Sequence, residues 1–264
     1  MAAPLDQGLS GGRSGGDRFR VVTTSGSYLA VLYTHVECQT PVGACDCLMK
    51  VNGEENMTQQ KNSEFEREPN VRMSPRYVET VAYASGLHAG QTRKGTAIPY
   101  VSHLLGVSSL VLEALGDEDQ AIAALLHDAA EDCGGEPRLV EIEEMFGPRV
   151  ASIVRGCSDS LVEDPKVKLP WRQRKEEYMA HLQEASGDVI LVSCADKLHN
   201  ARSLWTDIQR DGVGTMDRFN APGAEIAWYY SSLLAAFELR GAPADLVIPL
   251  REVTENLSKA LNDL

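Results

Sequence analysis

The sequence predicts an all-α domain of irregular helices, and three observations carry that expectation. From Ser74 onward the apolar residues recur at helical spacing, and no clean period-two alternation survives. Helix start and stop signals bound the segments, such as Ser74-Pro75 before one run and Gly134-Gly135 after another. No heptad persists, which excludes a coiled coil.

The elements follow in order. Ser74 is an N-cap and Pro75 a first helical residue; Tyr77, Val78, Val81 and Ala82 then give helical spacing up to His88. Residues 90–98 read as a loop rich in Gly, Thr and basic side chains. Pro99 opens a second helix, with Val101, Leu104, Leu105 and Val111, that stops near Gly116. Asp117 caps a third helix, running through Ala121, Ala124 and Leu125 to about Asp132, and Gly134-Gly135 ends it. Shorter helices are expected over 137–146 and 148–157, followed by a polar loop to Pro170. A helix over 171–184 places Tyr178 and Leu182 on one face. Residues 188–205 form the best buried helix, since Val189, Ile190, Leu191, Val192 and Leu198 leave little polar face. A Gly-containing loop over 211–223 and helices over 224–239 and 242–261 complete the set.

Residues 1–72 differ from residues 73–264, which are expected to form the domain. The run from Ser10 to Gly16 is a low-complexity Gly/Ser segment, and residues 59–70 are polar and charged. A disordered N-terminal extension is the expectation. His35, Cys38, Cys45 and Cys47 cluster within it, but their spacing matches no common structural zinc pattern.

Composition limits the function. With 43% hydrophobic residues, 264 residues can bury a proper core. No apolar run of membrane-spanning length and no secretory h-region is visible, so a cytoplasmic protein without a membrane partner is expected. The six cysteines form no disulfide framework. A net charge of -13 argues against a nucleic-acid partner and repels phosphorylated ligands at long range. Any phosphate site must therefore be local, built from a metal ion and a few placed Arg and Lys side chains.

The chemistry concentrates in three segments. His127, Asp128, Glu131 and Asp132 stand at the end of an apolar helix, where four ionisable groups are costly to bury unpaired. Helical spacing would set His127 beside Glu131 and Asp128 beside Asp132. A divalent metal offsets that cost, since imidazole and carboxylate are ligands of Mn, Fe and Zn. His103 is a lone histidine on an apolar helix, a type more often a core or supporting residue than a ligand. Asp196 lies inside the buried helix and needs a partner, a metal or a buried salt bridge. Asp196, Asn200 and Ser203 share one helix face, so one cleft wall could carry a ligand and two polar contacts.

Taken in order, His103, His127-Asp128 and Asp196 resemble the H…HD…D pattern of the HD phosphohydrolase superfamily. The likeness is closer to the hydrolase domain of RelA/SpoT proteins and the small alarmone hydrolases. It rests on Arg93-Lys94 in the 90–96 loop, on Ile98 to His103, on His127 to Asp132, and on Asp196-Lys197-Leu198-His199-Asn200. The resemblance implies an irregular HD-domain fold; its matching segments span roughly 75–205, and the helical tail would extend the match to 240. It implies removal of the 3′-pyrophosphate of guanosine tetra- and pentaphosphate with one Mn²⁺, other divalent metals being alternatives. Under it, His103, His127, Asp128 and Asp196 hold the metal, and Glu131 and Asp132 position and deprotonate the attacking water. Arg93, Lys94 and Lys197 flank the nucleotide, with Asn200 and Ser203 at the ribose and base.

The loop from Arg93 to Tyr100 is one residue longer than the usual family pattern and has Gly95 where Ser is common. An adenine alarmone or NADPH is therefore an alternative substrate, and a non-catalytic nucleotide sensor a third reading. Arg172, sharing a face with Lys175, either holds the departing pyrophosphate or belongs to a solvated face with Glu176 and Glu177. Arg218 and Tyr229 resemble a further nucleotide-contacting stretch of the small hydrolases. His88, His181 and His199 read as structural.

Overall fold

The computed structural model describes residues 73–161 and 169–262. The extension over 1–72, with its His/Cys cluster, lies outside the described residues, as do residues 162–168 of the polar loop. Among the described residues every regular element is helical. They are α1 (Pro75–Leu87), α2 (Val101–Glu113), α3 (Glu118–Leu126), α4 (Ala129–Asp132), α5 (Gly135–Phe146), α6 (Pro148–Cys157), α7 (Trp171–Leu182), α8 (Gly187–Asp211), α9 (Gly223–Leu239) and α10 (Ala244–Asn262). A 3-10 helix, Val213–Arg218, lies in the loop before α9. None is long and apolar enough to cross a membrane.

Local signals set the helix ends. Ser74 accepts from the Arg76 N–H, and Pro75 follows it. Asp117 and Gln120 form a reciprocal capping box on α3. The α8 helix starts at the Ser186 cap and stops at Gly212, whose φ of 77° suits glycine. It runs six residues beyond the expected end at Trp205, because Ile208 continues the buried stripe.

Two boundaries depart from expectation in ways that matter for the site. Pro99 belongs to the loop, not to α2: it forms an isolated antiparallel bridge with Thr92, and the Tyr100 N–H donates to the Gln91 carbonyl at 2.9 Å. The third helix is not continuous to Asp132. It stops at Leu126, and Asp128 (φ -95°, ψ -6°) starts the short α4. Neighbours on a regular helix project about 100° apart, so this joint allows His127 and Asp128 to reach one point.

The core lies around α2, α3 and α8. Helix α2 packs on α3 and α8, α3 also packs on α6 and α1, and α10 covers α8 and α9. Leu104, Val107, Ile122, Leu125, Leu126, Val192 and Leu198 are fully buried there. Fully burying such a side chain contributes about 1.5–3 kcal/mol. That rigid packing fixes the three helices that carry the candidate donors. Cys157 and Cys194 are buried free thiols, and Cys133 is half-buried and also free.

Candidate active site

Four side chains from three elements converge. His103 comes from the middle of α2, His127 and Asp128 from the joint after α3, and Asp196 from the middle of α8. The His103 Nε2 lies 3.2 Å from Asp196 Oδ1 and 3.6 Å from Asp128 Oδ2. The His127 Nε2 lies 2.9 Å from Asp128 Oδ2 and 3.5 Å from Asp196 Oδ1. His103, His127 and Asp196 are buried, with donor atoms close enough to share one ion. Both Nε2 atoms are buried without a hydrogen-bond partner. Donor atoms bound ~2.1 Å from one centre lie about 3.0–3.5 Å apart, so this set fits a divalent cation.

The surroundings prepare these donors. The His127 Nδ1 donates to the Ala124 carbonyl at 2.8 Å, leaving Nε2 free as a ligand. The Tyr100 hydroxyl donates to Asp128 Oδ2 at 2.6 Å. Asn200 Nδ2 donates to Asp196 Oδ1 at 2.5 Å, and Lys197 Nζ to Asp196 Oδ2 at 2.6 Å. Burial alone would raise the Asp196 pKa, but the Lys197 charge and then His127 hold it well below the carboxylate range.

Glu131 and Asp132 stand beside the cluster on α4, where the Asp132 N–H donates to the Asp128 carbonyl at 2.9 Å. Asp132 Oδ2 accepts from Gln91 Nε2 at 2.9 Å, on the side of the Arg93 loop. Glu131 Oε2 accepts from the Asp159 N–H at 3.3 Å. Burial, then the charges of Asp159 and Asp128, pushes the Glu131 carboxyl up to about 7, against a lowering pull from Lys175. Asp159 itself is clamped by Arg174 at 2.7 and 2.8 Å and by Lys175 at 2.5 Å.

A cavity of about 710 Å³ opens next to the cluster, and Tyr100, His199 and Asn200 line it. Seven Lys and Arg side chains face it against one carboxylate, Asp207. Arg174 and Lys175 pair with Asp159, and Arg210 and Arg218 with Asp207. The lining therefore keeps a smaller basic excess, which opposes locally the repulsion of a phosphorylated ligand by a chain of net charge -13. Arg93 donates from Nη2 to Asn200 Oδ1 at 2.6 Å. Lys94 stands 5.5 Å from the Phe219 ring centre. Gly95 has a φ of +71°, and a Cβ there would meet Arg218 Cδ at 2.6 Å. The glycine thus lets Arg218 pass under the loop to pair with Asp207.

Of the residues expected at the substrate, Arg93, Lys94, Asn200, Ser203, Arg218 and Tyr229 line the cavity. Two do not. Lys197 turns beneath the cluster, onto Asp196 and 5.2 Å from the Tyr178 ring centre. Arg172 is held by Glu176 and Glu225 and stacks 3.2 Å from the Trp228 ring centre. Arg174 and Lys175 line the cavity instead. Sequence reasoning gave no site role to Tyr100, Gln91 or Asp159 and read His199 as structural. Tyr100 had a signal, a hydroxyl one turn before His103 on the same strip of chain.

A family profile described as HD domain matches residues 80–214. The Drosophila melanogaster guanosine-3′,5′-bis(diphosphate) 3′-pyrophosphohydrolase MESH1 is 34% identical over 148 residues, 52% of this chain and 78% of that protein. The Escherichia coli K12 bifunctional (p)ppGpp synthase/hydrolase SpoT is 35% identical over 123 residues, 46% of this chain and 17% of that protein. A solved structure described as a metazoan ortholog of SpoT that hydrolyzes ppGpp matches with a TM-score of 0.56 and 30% identity. It covers 69% of this chain and 96% of that one. The profile spans all four converging donors, so likeness and geometry bear on the same residues, and the chain belongs to the HD-domain family.

Proposed function

We propose that this chain is a cytoplasmic, Mn²⁺-dependent hydrolase that removes the 3′-pyrophosphate of guanosine 3′,5′-bis(diphosphate) and guanosine pentaphosphate, releasing GDP or GTP and pyrophosphate. The observation that carries this reading is the buried donor cluster, with Glu131 and Asp132 on the short helix that follows Asp128, beside a cavity lined by more basic than acidic side chains. The names of its relatives agree with it.

A bound divalent metal lowers the pKa of water and offsets charge on phosphoryl oxygens. His103, His127, Asp128 and Asp196 are the residues to hold it. Glu131, with a carboxyl near neutrality, suits the role of base for the attacking water. Asp132, held by Gln91, orients that water. Water oxygen bonds to the phosphorus attached to the 3′ oxygen, the 3′ O–P bond breaks, and the 3′ oxygen takes up a proton. Arg93, Lys94, Arg174, Lys175 and Arg218 supply positive charge to the phosphates, and Asn200, Ser203 and Tyr229 supply polar contacts.

The test is turnover with Mn²⁺ of guanosine tetraphosphate, its adenine analogue and NADPH, with pyrophosphate and phosphate assayed separately. Pyrophosphate release from the first supports the reading. Phosphate release from NADPH alone would replace it, and binding without turnover of any would favour a sensor. Asp132→Asn is expected to keep the metal and lose about 10²-fold in kcat; an active variant would remove Asp132 from the mechanism. Arg174→Ala removes a cavity cation and unclamps Asp159, so KM should rise roughly tenfold. Arg172→Ala should stay within about twofold of the parent, as its guanidinium is engaged outside the cavity. Equal effects of the two in steady-state kinetics would reverse that assignment.

A further inference from the structure

An imidazole that binds a metal through Nε2 must carry its proton on Nδ1, and a partner that accepts this proton fixes the tautomer and ring orientation. His127 has such a partner in the Ala124 carbonyl. For His103 the group at this position is another imidazole: its Nδ1 lies 2.9 Å from the Nδ1 of His199. The two rings are tilted by 56° with centres 4.8 Å apart. His199 occupies a slot made by the absence of a side chain on α2. A Cβ on Gly106, one turn after His103, would stand 2.4 Å from His199 Nε2 and 2.5 Å from its Cδ2.

We propose that His199 is a positioning residue for the metal centre, accepting the His103 Nδ1 proton and so selecting the tautomer whose Nε2 is a free ligand. The opposite tautomer places a proton on Nε2, pointing toward Asp196 Oδ1 at 3.2 Å, where it competes with the ion. His199 also lines the substrate cavity, so the same ring joins the metal centre to the ligand space. The inference rests on His103 being a metal ligand.

The experiment uses the full chain and Mn²⁺ alone, read by loss of the free Mn²⁺ electron paramagnetic resonance signal. His199→Phe keeps a ring in the slot and removes the acceptor; Mn²⁺ affinity should fall about 10–100-fold. His199→Gln offers an amide oxygen and should restore most of that loss. In the metal-free chain, ¹⁵N NMR should show the His103 Nδ1–H tautomer in the parent and its loss in His199→Phe. If His199→Phe does not fold, Gly106→Ala pushes the ring aside from α2 and should weaken Mn²⁺ binding in the same sense. Parent-like Mn²⁺ affinity in His199→Phe, or in Gly106→Ala where that variant stands in, overturns the proposal. So does a His199→Gln that binds no better than His199→Phe. His103→Gln is the control: if it binds Mn²⁺ as the parent does, the ligand assignment fails instead.

Discussion

Asp196→Asn is expected to reduce turnover by roughly 10³-fold or more, because a bound metal supplies several kcal/mol to the transition state and each 1.36 kcal/mol is tenfold in rate. Mn²⁺ affinity should fall by more than the ~10–100-fold typical of residues that only support a ligand. The reason is positional. Asp196 Oδ1 faces both orphaned imidazole nitrogens, at 3.2 and 3.5 Å, and α8 brings up no other carboxylate at this point. Mn²⁺ titration and steady-state kinetics check this together. A variant that binds one Mn²⁺ within tenfold of the parent would remove Asp196 from the ligand set.

The same substitution carries a stability cost that is separable from the metal. Lys197 would lose the carboxylate it pairs with at 2.6 Å, and its side chain is only 16% exposed. Breaking a buried pair costs roughly 3 kcal/mol, which lowers the melting temperature by about 6–12 °C in a domain of this size. Adding Lys197→Met to Asp196→Asn should recover most of that loss while leaving metal binding absent.

Much of this was legible because helical patterning is local. The caps at Ser74, Asp117 and Ser186, and the apolar runs behind them, can be read one turn at a time. His127-Asp128 and Asp196 stood out as ionisable groups inside apolar helices; the structure groups His127 and Asp196 with His103 and sets Asp128 Oδ2 3.6 Å from the His103 Nε2. What stayed hidden depends on contacts between distant segments. Asp159 looks like an ordinary loop aspartate until Arg174, Lys175 and Glu131 are seen around it. Arg172 and Arg174 are two residues apart on one helix, and only tertiary packing decides which one reaches the cavity. The joint at His127-Asp128 was hidden for the same reason. Its residues favour a continuing helix as strongly as an interrupted one, and the turn is set by what the two side chains face.

Glu131→Gln should move stability and activity in opposite directions. The folded chain holds the Glu131 carboxyl up to about 7, through burial first and then Asp159 and Asp128, while an unfolded glutamate titrates near ~4.3. Between those values the folded state binds more protons than the unfolded state, so Glu131 destabilises the metal-free fold as pH rises. Glutamine removes that penalty. Metal-free Glu131→Gln should therefore gain about 1–3 kcal/mol over the parent above pH 7, a gain that vanishes below about pH 4. In turnover with Mn²⁺ the variant should lose about 10²–10⁴-fold, the usual effect of removing a general base. Thermal melts of the metal-free proteins at pH 4 and 8, beside kcat at pH 8, test both halves. A variant that stays active, or that gains nothing at pH 8, would mean that burial of this carboxylate serves the fold rather than the chemistry. A carboxylate kept at a cost to stability, one turn from a donor cluster and tied to the cations of the cavity through Asp159, is the pattern expected where function sets the residue.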